Sequence, residues 1–308
     1  MNKRVLVIVV SYNGMKWLER CLGSVCAVGG LKNEPLTAKK AQNAVGGPIS
    51  EPLTAVHADL YVWDNDSTDG SAGFVAAHYP DAKLVRSAEN LGFSRPNNLG
   101  MQYALEQGYD YVYLLNQDAW LEAGALEKLI AAAEAHPEYG LLSPLQMTDG
   151  YRALDPQFAK ILPAGGAYAP AGVLSVKRVM AAHWLIPTAV IRKIGLFNED
   201  LFPHWGQDDD WCNRLHFHGL QVGIVPEARA VHDRACRQEK RETLVRRNYY
   251  TGSLVRLANP NRPLWGQFLY VCLFTLVKAV RYRSLLPFKY FRQICRQLPQ
   301  VRAARART

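Results

Sequence analysis

The sequence predicts an α/β fold built on a mostly parallel sheet flanked by helices, with a helical, basic C-terminal tail. Three observations lead there. Over the first 145 residues, short apolar runs alternate with stretches of helical periodicity, the βαβα order that gives a sheet covered by helices on both faces. Hydrophobic residues make up 49% and charged residues 20% of the 308, a globular composition long enough for a substantial core. The polar, turn-forming segments fall at the carboxyl ends of the expected strands, where open α/β sheets bind ligands.

Each element has its own warrant. Val5–Val10 is unbroken apolar sequence, as a strand buried on both faces requires. The basic start before it has the outline of a signal peptide, but the run is only about seven residues and no small-residue cleavage site follows. A buried strand in a cytoplasmic chain is the expectation. Trp17, Leu18 and Leu22 give Met15–Val25 helical spacing. Leu60–Trp63 is a second strand closing on DNDSTDGS, Ala82–Val85 a third followed by SAENLGFSRPNN, and a helix runs from about Asn97 to Glu106. Tyr111–Leu115 is a fourth strand closing on NQDA, and Glu122–Ala135 is again helical. Beyond Gly150 the pattern loosens. His183–Pro187 reads as a strand, with Thr188 capping a short helix over Ala189–Ile194. A helix begins near Gln207, and Leu220–Val225 is a further strand.

Residues 1–260 read as one domain, interrupted by an insertion over 29–56 that holds the segment EPLTA twice, at Glu34–Ala38 and Glu51–Ala55. Its Gly, Pro, Ala and Lys content without periodicity predicts an exposed loop, and two copies are too few for a solenoid. Residues 261–308 form the tail. Six cysteines (Cys21, Cys26, Cys212, Cys236, Cys272, Cys295) show no paired or metal-ligand spacing, which predicts reduced thiols and argues against structural zinc. Charge is uneven. Val231–Thr308 carries 17 Lys/Arg against 3 Asp/Glu, a net +14 in a chain of net +9, leaving −5 for residues 1–230. The tail, not the body, is the part that suits an anionic surface.

Four motifs carry chemistry. Asp118 follows the strand YVYLL, where a carboxylate is held rigidly beside the ligand crevice and could bind Mg²⁺ or Mn²⁺; a turn aspartate bonding its own backbone is the plain alternative. In DNDSTDGS, capping and turn formation account for Asp69, Gly70 and Ser71. Asp64, directly after the strand, is better placed to accept a base or ribose hydrogen bond. Asp208, Asp209 and Asp210 open a helix, where acidic residues suit the dipole, yet three in a row repel one another. With His204, Trp205 and Trp211 beside them they suggest a pocket wall, and one could deprotonate an acceptor hydroxyl. Helical spacing lets at most two of the three face one site. His232 follows a strand, where a structural histidine and a metal ligand both fit.

The order and spacing of these motifs resemble the family 2 glycosyltransferases, especially the branch of rhamnosyl- and related surface-sugar transferases. The resemblance runs from about Val5 to Leu257 through VSYNG, WDNDSTDGS, NLGFSRPNNLG, LLNQDA, GLFNEDLFPHWGQDDDWCNR, PEARAVH and RRNYY. It implies a GT-A fold, a nucleotide-binding α/β sheet with an acceptor half. Ser11, Tyr12 and Asn13 match the loop that touches the nucleotide, and Asp64 the aspartate that contacts the base. Asn90, Gly92 and Asn98 match the loop along the donor. Asn116, Gln117 and Asp118 stand at the family's DxD, with an amide in place of the first carboxylate and Asp118 left as the main metal ligand. Gln207-Asp208 stands at the Glu-Asp pair, with glutamine in place of glutamate, which makes Asp208 the base, a role Asp209 or Asp210 could share; Trp205, Asp209 and Asp210 are placed on the acceptor side. His232 matches a histidine that completes the metal site in some relatives.

The resemblance thus implies an inverting glycosyltransferase that uses Mg²⁺ or Mn²⁺, a nucleotide-diphosphate sugar such as a rhamnose or hexose donor, and a glycan or lipid-linked acceptor, with no nucleic-acid partner. A base must be ionised, and a place in the first helical turn is expected to keep the Asp208 pKa low. Leu264–Val280 is apolar apart from Gln267 and Lys278, short of the ~20 residues of a bilayer span. The aromatic and basic sequence after it has the composition of an interfacial helix on an anionic cytoplasmic leaflet, with a core helix followed by a solvated tail as the alternative. A sugar-phosphate nucleotidyltransferase would share the strand–helix order but needs a Gly-rich basic phosphate loop, and SYNGMK has one glycine. A nucleic-acid or membrane-binding module would explain the tail but leave the Asp118 and Asp208 loops unexplained.

Overall fold

The structure is a computed structural model and describes residues 3–29, 56–163, 172–233 and 241–308. The duplicated EPLTA segment and Cys236 lie outside the described residues. Among the described residues a mixed nine-stranded sheet runs in the order β3-β2-β1-β4-β8-β6-β9-β5, with β7 paired to β9. The strands are β1 (Lys3–Ser11), β2 (Val56–Asp64), β3 (Lys83–Arg86), β4 (Tyr111–Asn116), β5 (Ala119–Leu121), β6 (Tyr139–Met147), β7 (Leu174–Val176), β8 (His183–Pro187) and β9 (Gln221–His232). The block β3-β2-β1-β4 is parallel throughout. Antiparallel pairing begins where β8 joins β4. The fold is the expected α/β arrangement.

Alternation along the parallel strands sorts residues to two faces. Val5, Val7 and Val9 enter one core with Leu18, Leu22 and Val25 of α1 (Met15–Gly29), Val75 of α2 (Ser71–His78), and Leu126, Leu129 and Ile130 of α4 (Ala125–Ala135). Leu6 and Ile8 enter the other, against Met101 and Ala104 of α3 (Ser94–Glu106), Ile191 and Ile194 of α5 (Thr188–Ile194), and Trp211 and Leu215 of α6 (Gln207–Phe217). Gly100 lets α3 approach β1 closely, since a Cβ there would stand 2.8 Å from Ile8 Cδ1. Each fully buried Val, Leu or Ile contributes about 1.5–3 kcal/mol, which is why an unbroken apolar run marks β1.

Beyond β9 the chain forms α7 (Arg241–Val245), a π-helical turn (Arg246–Thr251), α8 (Gly252–Ala258), α9 (Leu264–Tyr282) and α10 (Leu286–Ala306). Val245, Tyr249, Leu254, Leu257, Val271, Tyr290, Ile294 and Val301 build a third core, joined by Leu201 and Phe202 from the loop before α6. The tail is therefore folded onto the body. The five described cysteines carry free thiols.

Several local expectations shift. β5, β6 and β7 are additional strands, and all nine residues of β6 are buried. The β6–β9 ladder slips between Pro144 and Leu145, and an irregularity is where a proline without an N–H is tolerated in a sheet. Thr188 does not cap the following helix. Pro187 holds the cap position, and the Thr188 hydroxyl donates to the Tyr109 carbonyl at 2.7 Å, which fastens α5 to the start of β4.

Candidate functional site

The order 3-2-1-4 makes β1 and β4 neighbours from which the connections diverge, and the crevice opens outside their carboxyl ends. There the β1 loop is held through its backbone. The Gln117 side-chain amide accepts from Tyr12 N (2.8 Å) and donates to Tyr12 O (3.1 Å). Gly14 makes room for this clasp, since a Cβ would fall 2.3 Å from Gln117 Oε1. The β2 loop holds the same segment from the other side. Asn13 N donates to Ser67 Oγ, Gly14 N to Ser71 Oγ and Met15 N to Asp69 Oδ2, while Thr68 N donates to Asn13 Oδ1. Asp69 and Ser71 thus satisfy donors at the start of α1, where a helix has none of its own.

Asn65, a further residue of the site, ties in the β3 loop. Its amide donates to Asn90 Oδ1 (2.9 Å) and Gly92 O (2.8 Å) and accepts from Leu91 N (2.8 Å). Its place directly after Asp64 at a strand end was the available signal. Gly92 has φ +81°, and a Cβ there would meet Pro203 O at 2.7 Å. Phe93 N and Ser94 N both donate to that same carbonyl. Glycine therefore lets the β3 loop lie directly on the chain that leads to α6, which brings His204 and Trp205 to the crevice.

A cavity of about 320 Å³ results, lined by Val10, Tyr12, Asn65, Asn90, Gly92, Phe93, Asn116, Gln117, Asp118, His204 and Trp205. It gathers seven of the expected residues: Tyr12, Asn90, Gly92, Asn116, Gln117, Asp118 and Trp205. Ser11 and Asp64 lie buried just behind, and Ser11 Oγ and one Asp64 oxygen have no hydrogen-bond partner. Buried polar atoms are rarely left so. Asn98 is spent elsewhere: its amide bonds Phe197 O, Glu199 Oε2 and Phe197 N, pinning α3 to the loop after α5. Its place is structural, and it is off the cavity wall.

His232 reaches Asp118 because β5 pairs with β9, Ala119 opposite His232. Asp233 N also donates to Asp118 O at 2.8 Å. His232 Nε2 stands 3.4 Å from Asp118 Oδ1, and His232 Nδ1 is buried without a hydrogen-bond partner. Among the described residues no group of three His, Cys, Asp or Glu side chains gathers to hold a metal. A carboxylate–imidazole pair is a partial ligand set, of the kind substrate phosphates and water complete for Mg²⁺. Behind it lies His183, whose pKa burial lowers to about 3. It stays neutral, bonded to Tyr113 OH and Val231 O.

The three aspartates of α6 diverge. Asp210 is buried, paired with Arg214 Nε at 3.0 Å and bonded by Asn198. Arg214 in turn donates to the Ile194 and Leu196 carbonyls. Asp210 therefore ties α6 to the end of α5 and does not line the cavity, in keeping with the limit of two carboxylates per face. Asp209 pairs with Arg178 at 2.5 Å. Asp208 is partly exposed, and one oxygen accepts from Asp209 N at 2.9 Å. Its pKa is not low, as the helix position suggested. Burial and then the neighbouring Asp209 charge push it up to about 6, against the Asp209 N–H and Arg178. Asp208 is three residues past Trp205 and does not itself line the cavity. Trp205 in turn lies under the Arg246 guanidinium, 6.0 Å from its ring centre.

Residues 6–150, the segment that supplies the β1, β2, β3 and β4 loops, match the family described as glycosyl transferase family 2. The chain carries a family 2 glycosyltransferase domain. The chain is similar to curated proteins that include the low-salt glycan biosynthesis hexosyltransferase Agl10 of Haloferax volcanii, 24% identical over 60% of this chain and 62% of the relative, and the N-acetylglucosaminyl-diphospho-decaprenol L-rhamnosyltransferase of Mycobacterium tuberculosis, 25% identical over 56% and 65%. Neither match spans two thirds of the relative's own length. Among solved structures, S. aureus TarS 1–349 in complex with UDP-GlcNAc superposes with a TM-score of 0.55 at 16% identity, covering 92% of this chain and 74% of the other. The mannosyltransferase PcManGT from Pyrobaculum calidifontis, in complex with GDP-Man and Mn²⁺, gives 0.52 at 18%, covering 99% and 74%. At such identities the likeness establishes the fold, which is GT-A.

Proposed function

We propose that the family 2 domain transfers a sugar, a rhamnose or a hexose, from a nucleotide-diphosphate donor to a hydroxyl of a glycan or lipid-linked acceptor, with inversion at the anomeric carbon. The observation that carries this is the cavity at the β1–β4 switch point. It is walled by amides and one carboxylate on one side and by His204 and Trp205 on the other. The unpartnered Ser11 hydroxyl and Asp64 oxygen behind it supply the donor and acceptor that a nucleobase or ribose needs. The names of the two curated relatives, a hexosyltransferase and a decaprenol-linked rhamnosyltransferase, support the sugar and acceptor classes.

Asp208 takes the proton from the acceptor hydroxyl. The freed oxygen bonds to the anomeric carbon from the face opposite the leaving nucleotide, and the bond to the diphosphate oxygen breaks, its electron pair leaving with the nucleotide. A carboxyl held near pH 6 is ionised at neutral pH and more basic than an exposed one, which suits a general base. Asp118 and His232 would hold Mg²⁺ or Mn²⁺, which would supply positive charge to offset that developing on the leaving diphosphate. Tyr12, Asn90 and Trp205 orient the donor and acceptor. The reaction takes place on the cytoplasmic side, with the enzyme peripheral to the plasma membrane through its C-terminal helices.

The experiment is release of nucleoside diphosphate from a panel of UDP-, dTDP- and GDP-sugars, with Mn²⁺ or Mg²⁺ and with chelator. Turnover of at least one donor, abolished by Asp118→Ala, is the expected result. No turnover and no thermal shift with any donor refutes the reading.

A further inference from the structure

We infer that one face of α9 lies flat in the surface of an anionic bilayer, with the α9–α10 elbow as its electrostatic anchor. This deepens the membrane part of the proposed function and is independent of its chemistry. At 100° per residue, Trp265, Leu269, Leu273, Leu276 and Val280 fall within about 80° of arc, a stripe about 22 Å long. All five are exposed, Trp265 by 80% and Val280 by 79%. At the elbow Leu285, also 79% exposed, and Phe288 extend the same apolar surface, enclosing a recess of about 520 Å³ with Arg283 on its lip. A soluble surface rarely leaves so continuous an apolar patch unpartnered.

Charge selects the occupant. From Asn261 to Thr308 there are ten Lys/Arg and no Asp/Glu, and Arg281, Arg283, Arg292 and Arg296 are exposed. An apolar stripe with aromatic ends and a predominantly basic surround, in which Glu242 neutralises Lys289 alone, suits lipid acyl chains below anionic headgroups. Apposing the same helices of a second copy would set two strongly positive surfaces together.

The helix is 19 residues long and apolar enough to cross a membrane by length and composition. Its other face argues for lying flat. Val271 and Thr275 are buried against the tail core, and the Thr275 hydroxyl is bonded to Tyr249 OH at 2.5 Å. Gln267 accepts from Arg256 at 3.0 Å, and Arg256 stacks on Tyr270 at 4.0 Å. A span would strip α9 from these partners or carry Arg256 into hydrocarbon, both costly. An in-plane helix keeps every one of these contacts and covers the stripe.

The test is flotation of the full chain with vesicles of phosphatidylcholine alone and of phosphatidylcholine with one third phosphatidylglycerol. The expected result is flotation only with the anionic vesicles, release by alkaline carbonate, and binding roughly 20-fold weaker in Arg281→Ala/Arg283→Ala. Leu269→Glu/Leu273→Glu/Val280→Glu should lose flotation, with unchanged circular dichroism and donor turnover on a water-soluble acceptor, since all three side chains face solvent. Equal binding to neutral vesicles, no binding, or resistance to carbonate overturns the inference. So does a dimer in solution that the Glu variant splits without any vesicle binding. Because vesicle binding and donor turnover are read separately, failure of one leaves the other standing.

Discussion

Replacing Asp208 with asparagine should cost the reaction and stabilise the protein, the second effect dependent on pH. The Asp208 pKa is raised from 3.8 to about 6, first by burial and then by Asp209. A rise of that size corresponds to about 3 kcal/mol; the side chain is partly exposed, and solvent screening brings this to about 1–2 kcal/mol. The sign follows from linkage. With its folded pKa above the unfolded one, the native state binds this proton more tightly, so the wild type loses stability as pH rises from about 4 through about 6. The substituted amide has no charge to bury and can still accept from Asp209 N, so the variant escapes that loss. The expected outcome is a Tm higher by roughly 2–6 °C at pH 8 and unchanged at pH 4, read by differential scanning calorimetry. Transfer should fall by roughly 10²–10⁴-fold with donor affinity intact. A Tm difference independent of pH refutes the electrostatic argument, and near-normal turnover removes Asp208 as the base.

Three further changes probe other parts of the site. Arg214→Ala leaves Asp210 buried and unpaired and should cost about 3–5 kcal/mol in chemical denaturation, largely recovered by adding Asp210→Asn. Gly14→Ala drives a methyl into the Gln117 amide and should weaken donor binding in calorimetry while leaving Tm within a few degrees, because the tie lies at the surface. Asn116→Asp restores a second carboxylate at the cavity wall and should tighten Mn²⁺ binding by roughly tenfold, measured by titration of metal-dependent donor turnover.

The first half of the fold was legible because buried parallel strands announce themselves. Val5–Val10 and Tyr111–Leu115 are apolar on both faces, and the loops after them are polar, so strand, end and crevice are all written locally. β6 was not legible, since Ser143, Pro144 and Gln146 interrupt its apolar run and only burial between β8 and β9 makes it a strand. The cavity residues contributed by strand ends were readable for the same local reason. The environment of the α6 carboxylates was not. Whether Asp208, Asp209 or Asp210 meets the solvent depends on Arg178 and Arg214, one from a distant loop and one a turn further along. The dipole argument for Asp208 failed because burial and Asp209 outweigh the few tenths of a kcal/mol that a helix terminus provides. The surroundings of Asn98 were not legible either, because a polar residue in the first turns of α3 can equally well face inward and staple two segments.

The clasp between Gln117 and Tyr12 has a consequence for how such enzymes diversify. Gln117 grips the peptide groups of Tyr12 and makes no hydrogen bond to its side chain, and the residue is 47% exposed. The identity of residue 12 is thereby uncoupled from the course of the chain, and any side chain can be presented at that rim without redrawing the loop. If the cavity takes the donor proposed above, its selectivity can drift at this one position while the scaffold beneath stays as it is.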